Sequence, residues 1–320
     1  MKLYYAPMEG LTGHIYRNAH HAFFNNIDKY FSPFIVANQS NSLKTREIND
    51  VLPEHNQDIV LIPQILTNDA INFNNTAKRI KELGYNEINL NLGCPARTVV
   101  SKGKGSGFLA KRDELDVFLD KIYSGTNTKI SIKTRIGKDN PDEFYELINI
   151  FNKYPIEELI IHPRIQKDFY NNKPNLTIFK DALTLSKNPV CYNGDIFTSE
   201  DYKRFILDFP DVEAVMCGRG LLANPSLADE ITNHSKIKKD LLKEFHDRLY
   251  NDYKARLCGD TNLLYKMKEL WFYMGAVFTD NTKYMKKIKK CNYLSEYDQV
   301  VSSLFLEQDI LKTWESFSFL

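Results

Sequence analysis

The chain has 320 residues, 43% of them hydrophobic and 26% charged, with 42 basic and 41 acidic side chains and a formal net charge of +1. That composition is enough for a sizeable soluble core, and its apolar runs are only strand-length, which excludes a disordered, fibrous or membrane-spanning chain. Five scattered cysteines without a CxxC pair, and a start (MKLYYAPMEG) without signal-peptide texture, predict reduced thiols in a cytoplasmic protein.

Short apolar, β-branched stretches fall at 3–8, 29–38, 58–66, 87–95, 129–137, 158–165, 189–196 and 214–220. Amphipathic stretches of helical length separate most of them, as at 68–84, 111–125 and 141–154. Helix punctuation agrees: Asn68 and Asp69 suit a cap, Gly84 and Gly125 suit helix ends, Pro141 suits a first turn, and Ser199 starts another helix. Eight strands alternating with helices predict an α/β fold, a (β/α)8 TIM barrel in preference to a doubly wound sheet. Beyond residue 235 the texture turns helical, at 240–257, 261–278, 281–293 and 300–314. Phe245, Leu249, Tyr253 and Leu257 recur every four residues as one buried stripe. The predicted domains are a catalytic barrel over 1–234 and a smaller all-helical C-terminal domain over 235–320.

The near-zero net charge lacks the basic excess of a dedicated nucleic-acid binder, yet the charge is unevenly spread. Residues 1–230 sum to −2, residues 231–290 to +7 and residues 291–320 to −4. Such asymmetry fits either solvated helix faces or one face that meets a polyanion. Lys283, Lys286, Lys287 and Lys289 are the candidates for the second.

In a barrel of this kind, chemistry sits at the C-terminal ends of the strands. Cys94, in NLNLGCP (89–95), belongs there, with Gly93 and Pro95 beside it and Asn91 offering a planar amide for a nucleobase edge. The plainer reading of Cys94 is a small buried hydrophobe. The segment 96–110 reads as a long loop with three glycines, Lys102 and Lys104, suited to a phosphate or to a flexible basic lid. Lys133 ends another strand as a cation able to stabilise developing negative charge. His162, in IHPR, is a lone histidine and by itself more structural than functional. NGD (193–195) and GRG (218–220) follow the seventh and eighth predicted strands, where barrels bind phosphate through backbone N–H groups. Arg219 adds a charged fork.

Taken together, YAPMEGLTG, INLNLGCPARTVVSKGKGSG, ISIKTRIG, IHPR with Tyr170 after it, NGDI and MCGRGLLANP resemble the dihydrouridine synthase family. The MEG-type opening and LNLGCPAR are most similar to the bacterial branch that acts at position 16. The likeness runs through roughly the first 225 residues; KMKELWFYMG in the tail resembles the family's RNA-binding helical domain. The resemblance implies FMN-dependent reduction of a uridine in tRNA by NADPH or NADH, by a monomer needing neither metal nor membrane. It implies that Pro7, Met8, Gln64, Lys133 and His162 line the flavin and that Asn193, Asp195, Gly218 and Arg219 cradle its phosphate. Cys94 becomes the proton donor to C5, Asn91 and Tyr170 hold the base, and Lys102, Lys104, Lys286 and Lys287 contact the RNA. Asn172 departs from a usual glycine, and LLANPSL lacks a usual aromatic. Ribosomal RNA is the alternative substrate. The rivals are a dihydroorotate-dehydrogenase-like FMN barrel and a non-catalytic RNA-binding barrel.

Overall fold

The structure, a computed structural model, describes residues 1–37 and 44–311. Eight strands form the barrel: β1 (Lys2–Tyr5), β2 (Lys29–Val36), β3 (Leu61–Leu66), β4 (Glu87–Leu92), β5 (Lys129–Gly137), β6 (Leu159–Ile165), β7 (Val190–Asn193) and β8 (Ala214–Cys217). Each pairs in parallel with the next, and β8 closes onto β1. The predicted TIM barrel is therefore present.

A strand's side chains alternate between its two faces, and this alternation builds two layers. Ile88, Leu90 and Leu92 of β4 face the helices in the main core, while Asn89 and Asn91 face inward and hydrogen-bond to residues of β3 and β5. A separate apolar cluster, including Tyr4, Phe31, Ile62, Ile160, Cys191 and Met216, fills the barrel interior. Toward the N-terminal ends of the strands, the Tyr4 hydroxyl donates to Glu158 at 2.9 Å and Lys29 pairs with Glu87 at 2.8 Å. That end is plugged, so the open end is the mouth at the strands' C-termini.

Helix starts follow local chemistry. The Asp69 carboxylate accepts from the Asn72 N–H to cap Ala70–Glu82, and Thr198 and Asp201 form a reciprocal capping box at Ser199–Asp208. Gly84 takes the left-handed conformation (φ +97°) just past its helix, as its position predicts. The segment 96–110 differs from the open loop expected of it. It contains helical turns at Arg97–Val100 and Gly105–Ala110, with Gly105–Leu109 buried. A Cβ on Gly107 would stand 2.8 Å from the Val100 carbonyl oxygen, so its glycines serve close packing and the segment is not a free lid.

The C-terminal region contains helices at Lys239–Arg256, Asp260–Met274, Asn281–Lys290 and Leu294–Glu307. The last was expected to reach residue 314; residues 312–314 lie outside the described residues, as does Asn38 at the end of the second predicted strand. Phe245, Leu249 and Tyr253 are buried as the stripe requires, while Leu257, the expected fourth member, lies just past the helix end and is only half-buried. Phe245 packs edge-on against Tyr16 and Phe24, with ring centroids 5.7 and 5.2 Å away, so the helical region shares one apolar core with the barrel. Among the described residues no helix is long and apolar enough to cross a membrane.

Candidate active site

The cysteine loop hangs from a buried chain of amides. The Asn91 side-chain oxygen accepts the N–H groups of Gly93 and Cys94 at 3.1 and 2.9 Å. Its amide nitrogen donates to Gln64 at 2.7 Å, Gln64 donates to Asn89 at 2.7 Å, and Asn89 donates to the Ser131 hydroxyl at 3.0 Å. Strand register makes this possible, because Gln64 lies opposite Asn89 and Asn89 opposite Ser131. Gln64 is fully buried beneath the mouth, and the structure places Gln64 and Asn91 against each other as supports of the cysteine loop. From the other side, the Ser106 N–H and hydroxyl both donate to the Cys94 carbonyl. Gly105, at φ +54°, lets the chain pass, since a Cβ there would lie 2.8 Å from that same oxygen. Burial pushes the half-buried Cys94 thiol up from its ordinary value, against the opposing pull of the Ala96 backbone and of Arg135 and Lys133. The thiol is thus protonated at neutral pH, as a proton donor must be.

Cations surround the mouth. Burial, then the neighbouring Arg135, brings Lys133 down to about 8, and among the described residues no carboxylate pairs with it. Arg135 is buried and bridges two loops: its Nε donates to the Gly93 carbonyl at 3.0 Å, and its terminal nitrogens donate to Ile165 and Phe169 carbonyls at 2.8 and 2.7 Å. It ties the cysteine loop to the loop that carries Tyr170. Arg164 is also buried; it makes a two-pronged pair with Asp195 at 3.0 and 2.5 Å and donates to His162 Nε2 at 2.9 Å. Arg219 donates to the same Asp195 at 2.6 Å and stacks on the Tyr170 ring at 4.5 Å. His162 is held far below its usual range, by burial and then by Arg135, Lys133, Arg164 and Arg219, so it is neutral and accepts through Nε2.

A cavity of about 440 Å³, counted with the solvent open to it, lies at the mouth, lined among others by Pro7, Met8, Lys133, His162, Tyr170, Asn193, Asp195, Gly218 and Arg219. Nine residues singled out from sequence therefore meet in one place. Asn193 is fixed by donating to the Met216 carbonyl at 2.8 Å, and a Cβ on Gly218 would stand 3.2 Å from the Met8 sulfur. Asp195 was expected in a phosphate cradle built on backbone N–H groups; its carboxylate is spent on two arginines, and Arg219 with the backbone of the β7 and β8 loops is left to donate to an anion. Lys102 is exposed and Lys104 half-buried on the folded 96–110 segment, while Lys286 and Lys287 are exposed on the helix Asn281–Lys290, outside the cavity lining. Asn172, where glycine is usual, contributes its carbonyl, which accepts from Arg164 Nε at 2.5 Å, and its side-chain amide, which donates to the Asp168 carboxylate at 2.5 Å.

Sequence reasoning missed Arg135, Arg164, Asn89 and Ser131. The alternation in KISIKTRIG was the available signal: Lys133 and Arg135 are two apart and so share a face. Among the described residues no cluster of three or more His, Cys, Asp or Glu side chains is placed to hold a metal ion.

A closed parallel barrel with a cationic mouth at its strand ends defines a barrel enzyme. The description "Dihydrouridine synthase" belongs to the sequence family whose model matches residues 4–313, and the chain is a member of that family. It is 25% identical over 317 residues to a tRNA-dihydrouridine(16) synthase from Vibrio parahaemolyticus, covering 91% of this chain and 92% of that one. It is 28% identical over 248 residues to tRNA-dihydrouridine synthase B from Pasteurella multocida, covering 75% and 70%. Among solved structures, a variant of NCR from Zymomonas mobilis shares the fold at a TM-score of 0.53 and 12% identity, covering 76% and 90%. A single-residue mutant of morphinone reductase in complex with tetrahydroNAD also matches at a TM-score of 0.53, with 10% identity and 75% and 89% coverage.

Proposed function

We propose that the chain reduces a specific uridine of tRNA to 5,6-dihydrouridine, using FMN and a nicotinamide reductant, NADPH or NADH. The observation that carries this reading is the Cys94 loop, held by Asn91 and Arg135 at the same barrel mouth as a cavity lined by Lys133, His162 and Arg219. The residues present fit FMN: Lys133 is a cation without a carboxylate partner, and Arg219 with the glycine-rich β7 and β8 loops offers donors for a phosphate. Bound FMN supplies a hydride for C6 of the uracil. Lys133 stabilises negative charge on the ring system, and neutral His162 presents a polar edge to it. Cys94 delivers the proton to C5 from its S–H. Arg135 and the amide chain through Asn91 hold the backbone of the Cys94 loop at the mouth, and Tyr170, in the cavity lining, serves as one wall for the base.

A uridine in folded RNA must leave its stack to reach this cavity. We assign residues 1–234 to the catalytic barrel and 235–320 to an RNA-binding helical domain. Lys286 and Lys287 contact the phosphate backbone, with Lys283 and Lys289 beside them, and Lys102 and Lys104 add contacts on the barrel. The proposed target is the position-16 uridine, as in the Vibrio relative's name, and the enzyme acts as a cytoplasmic monomer. The test is to load the purified protein with FMN and supply NADPH with unmodified tRNA, ribosomal RNA or free uridine. Dihydrouridine at one tRNA position is expected. Its absence from tRNA, or equal reduction of the free nucleoside, refutes the reading.

A further inference from the structure

Among the described residues the exposed large aromatic side chains are Tyr145, Tyr170, Tyr265, Phe272 and Tyr293. Two have evident work: Tyr145 donates to Asp181 at 2.6 Å, and Tyr170 lies under Arg219 at the mouth. The other three are in the helical region, exposed by 63%, 58% and 68%. Tyr265 and Phe272 are seven residues apart on the helix Asp260–Met274, so they share one face about 10 Å apart along the axis. Leu263, Met267, Leu270 and Met274 bury the opposite face.

This aromatic face lies between the two sites already described. On one flank Lys266 donates to the Gly10 carbonyl in the loop after β1 and pairs with Glu269 at 3.0 Å, and the helix packs against Arg219–Ala223 beside the cavity. On the other flank Lys268 stands over the Tyr265 ring at 5.9 Å and donates to the Cys291 carbonyl, the residue that follows the lysine-bearing helix Asn281–Lys290. Exposed rings flanked by cations match the combination by which proteins hold single-stranded nucleic acid, with bases stacked on π-faces and phosphates on lysines. A second copy of this chain is a poorer occupant, because it would bring like-charged lysines together.

We infer that Tyr265 and Phe272 form a stacking platform for unpaired bases of the RNA, on the path between the barrel mouth and the lysine-bearing helix. The inference rests on the proposed RNA-modifying reading. It fixes a second recognition chemistry, insensitive to salt, beside the salt-sensitive lysines.

The test is the doubly substituted Tyr265→Ala/Phe272→Ala holoenzyme, with flavin absorbance and circular dichroism as checks on folding. Its affinity for unmodified tRNA is expected to fall about tenfold or more, with an unchanged slope of affinity against salt. The conservative pair Tyr265→Phe/Phe272→Tyr restores binding, which separates loss of stacking from a disturbed helix. Affinity within about twofold of the parent overturns the platform, and so does a loss accompanied by a flattened salt slope. A parent protein that dimerises through this face, with RNA affinity unmoved by the substitutions, also overturns it. A parent protein that binds no tRNA overturns the underlying reading, an outcome distinct from the others.

Discussion

The molecule has two cationic regions built on opposite plans. At the mouth, Arg135, Arg164 and Arg219 are largely buried, and each spends its guanidinium on backbone carbonyls or on Asp195. On the helix Asn281–Lys290 the lysines are exposed, and among the described residues none of them pairs with a carboxylate. Buried cations held by protein partners keep their position, and Arg219, which still faces the cavity, suits one small anion of fixed shape. Exposed lysines on flexible stems suit a phosphate backbone, where attraction comes from counterion release and tolerates variation in geometry. Under the proposed function, the difference separates chemistry from grip.

The largest effect expected from breaking this division is at Cys94. A Cys94→Ala variant should lose dihydrouridine formation by about 10²–10⁴-fold while retaining its tRNA affinity, read by mass spectrometry and by filter binding. Activity within a few fold of the parent would remove the thiol from the reaction. Next comes Asp195→Ala, which leaves Arg164 buried and without its counter-charge. It should cost about 3 kcal/mol of stability, measured by urea unfolding, and leave the lysine-bearing helix unaffected. A third prediction uses pH. Lys133 falls from an ordinary 10.5 to about 8 in the folded protein, so it loses its charge as pH rises through about 8. FMN affinity should weaken above that pH, and Lys133→Arg should remove the alkaline limb. The same shift acts on stability with the opposite sign: the folded state binds fewer protons than the unfolded between about 8 and 10.5, so Lys133's contribution to stability rises there. The smallest effect is that of the triple change Lys286→Gln/Lys287→Gln/Lys289→Gln. It should reduce the salt slope of tRNA binding by about 0.7–0.9 for each phosphate that is no longer neutralised, and leave FMN affinity unchanged.

The barrel was legible because strand alternation and helix punctuation are local signals, written within ten or so residues. The mouth was legible for a related reason: glycine, asparagine and charged residues ending apolar strands are visible as interruptions. The partnerships were not. Gln64 meets Asn91, and Asp195 meets Arg164, only because neighbouring strands bring distant segments into register, and one sequence carries no record of register. For this reason the two arginine partners of Asp195 were not foreseen. The glycines of 96–110 were misread on similar grounds. A glycine that admits a phosphate and one that admits the Val100 carbonyl look alike until the neighbour is known.

Phe245 sits among the rings of the first barrel helix, and one apolar core runs from there into the helical region. The lysines and the thiol therefore belong to one packed body. Under the proposed function, target choice would depend on whether the RNA spans the distance between them, with the base itself inspected last.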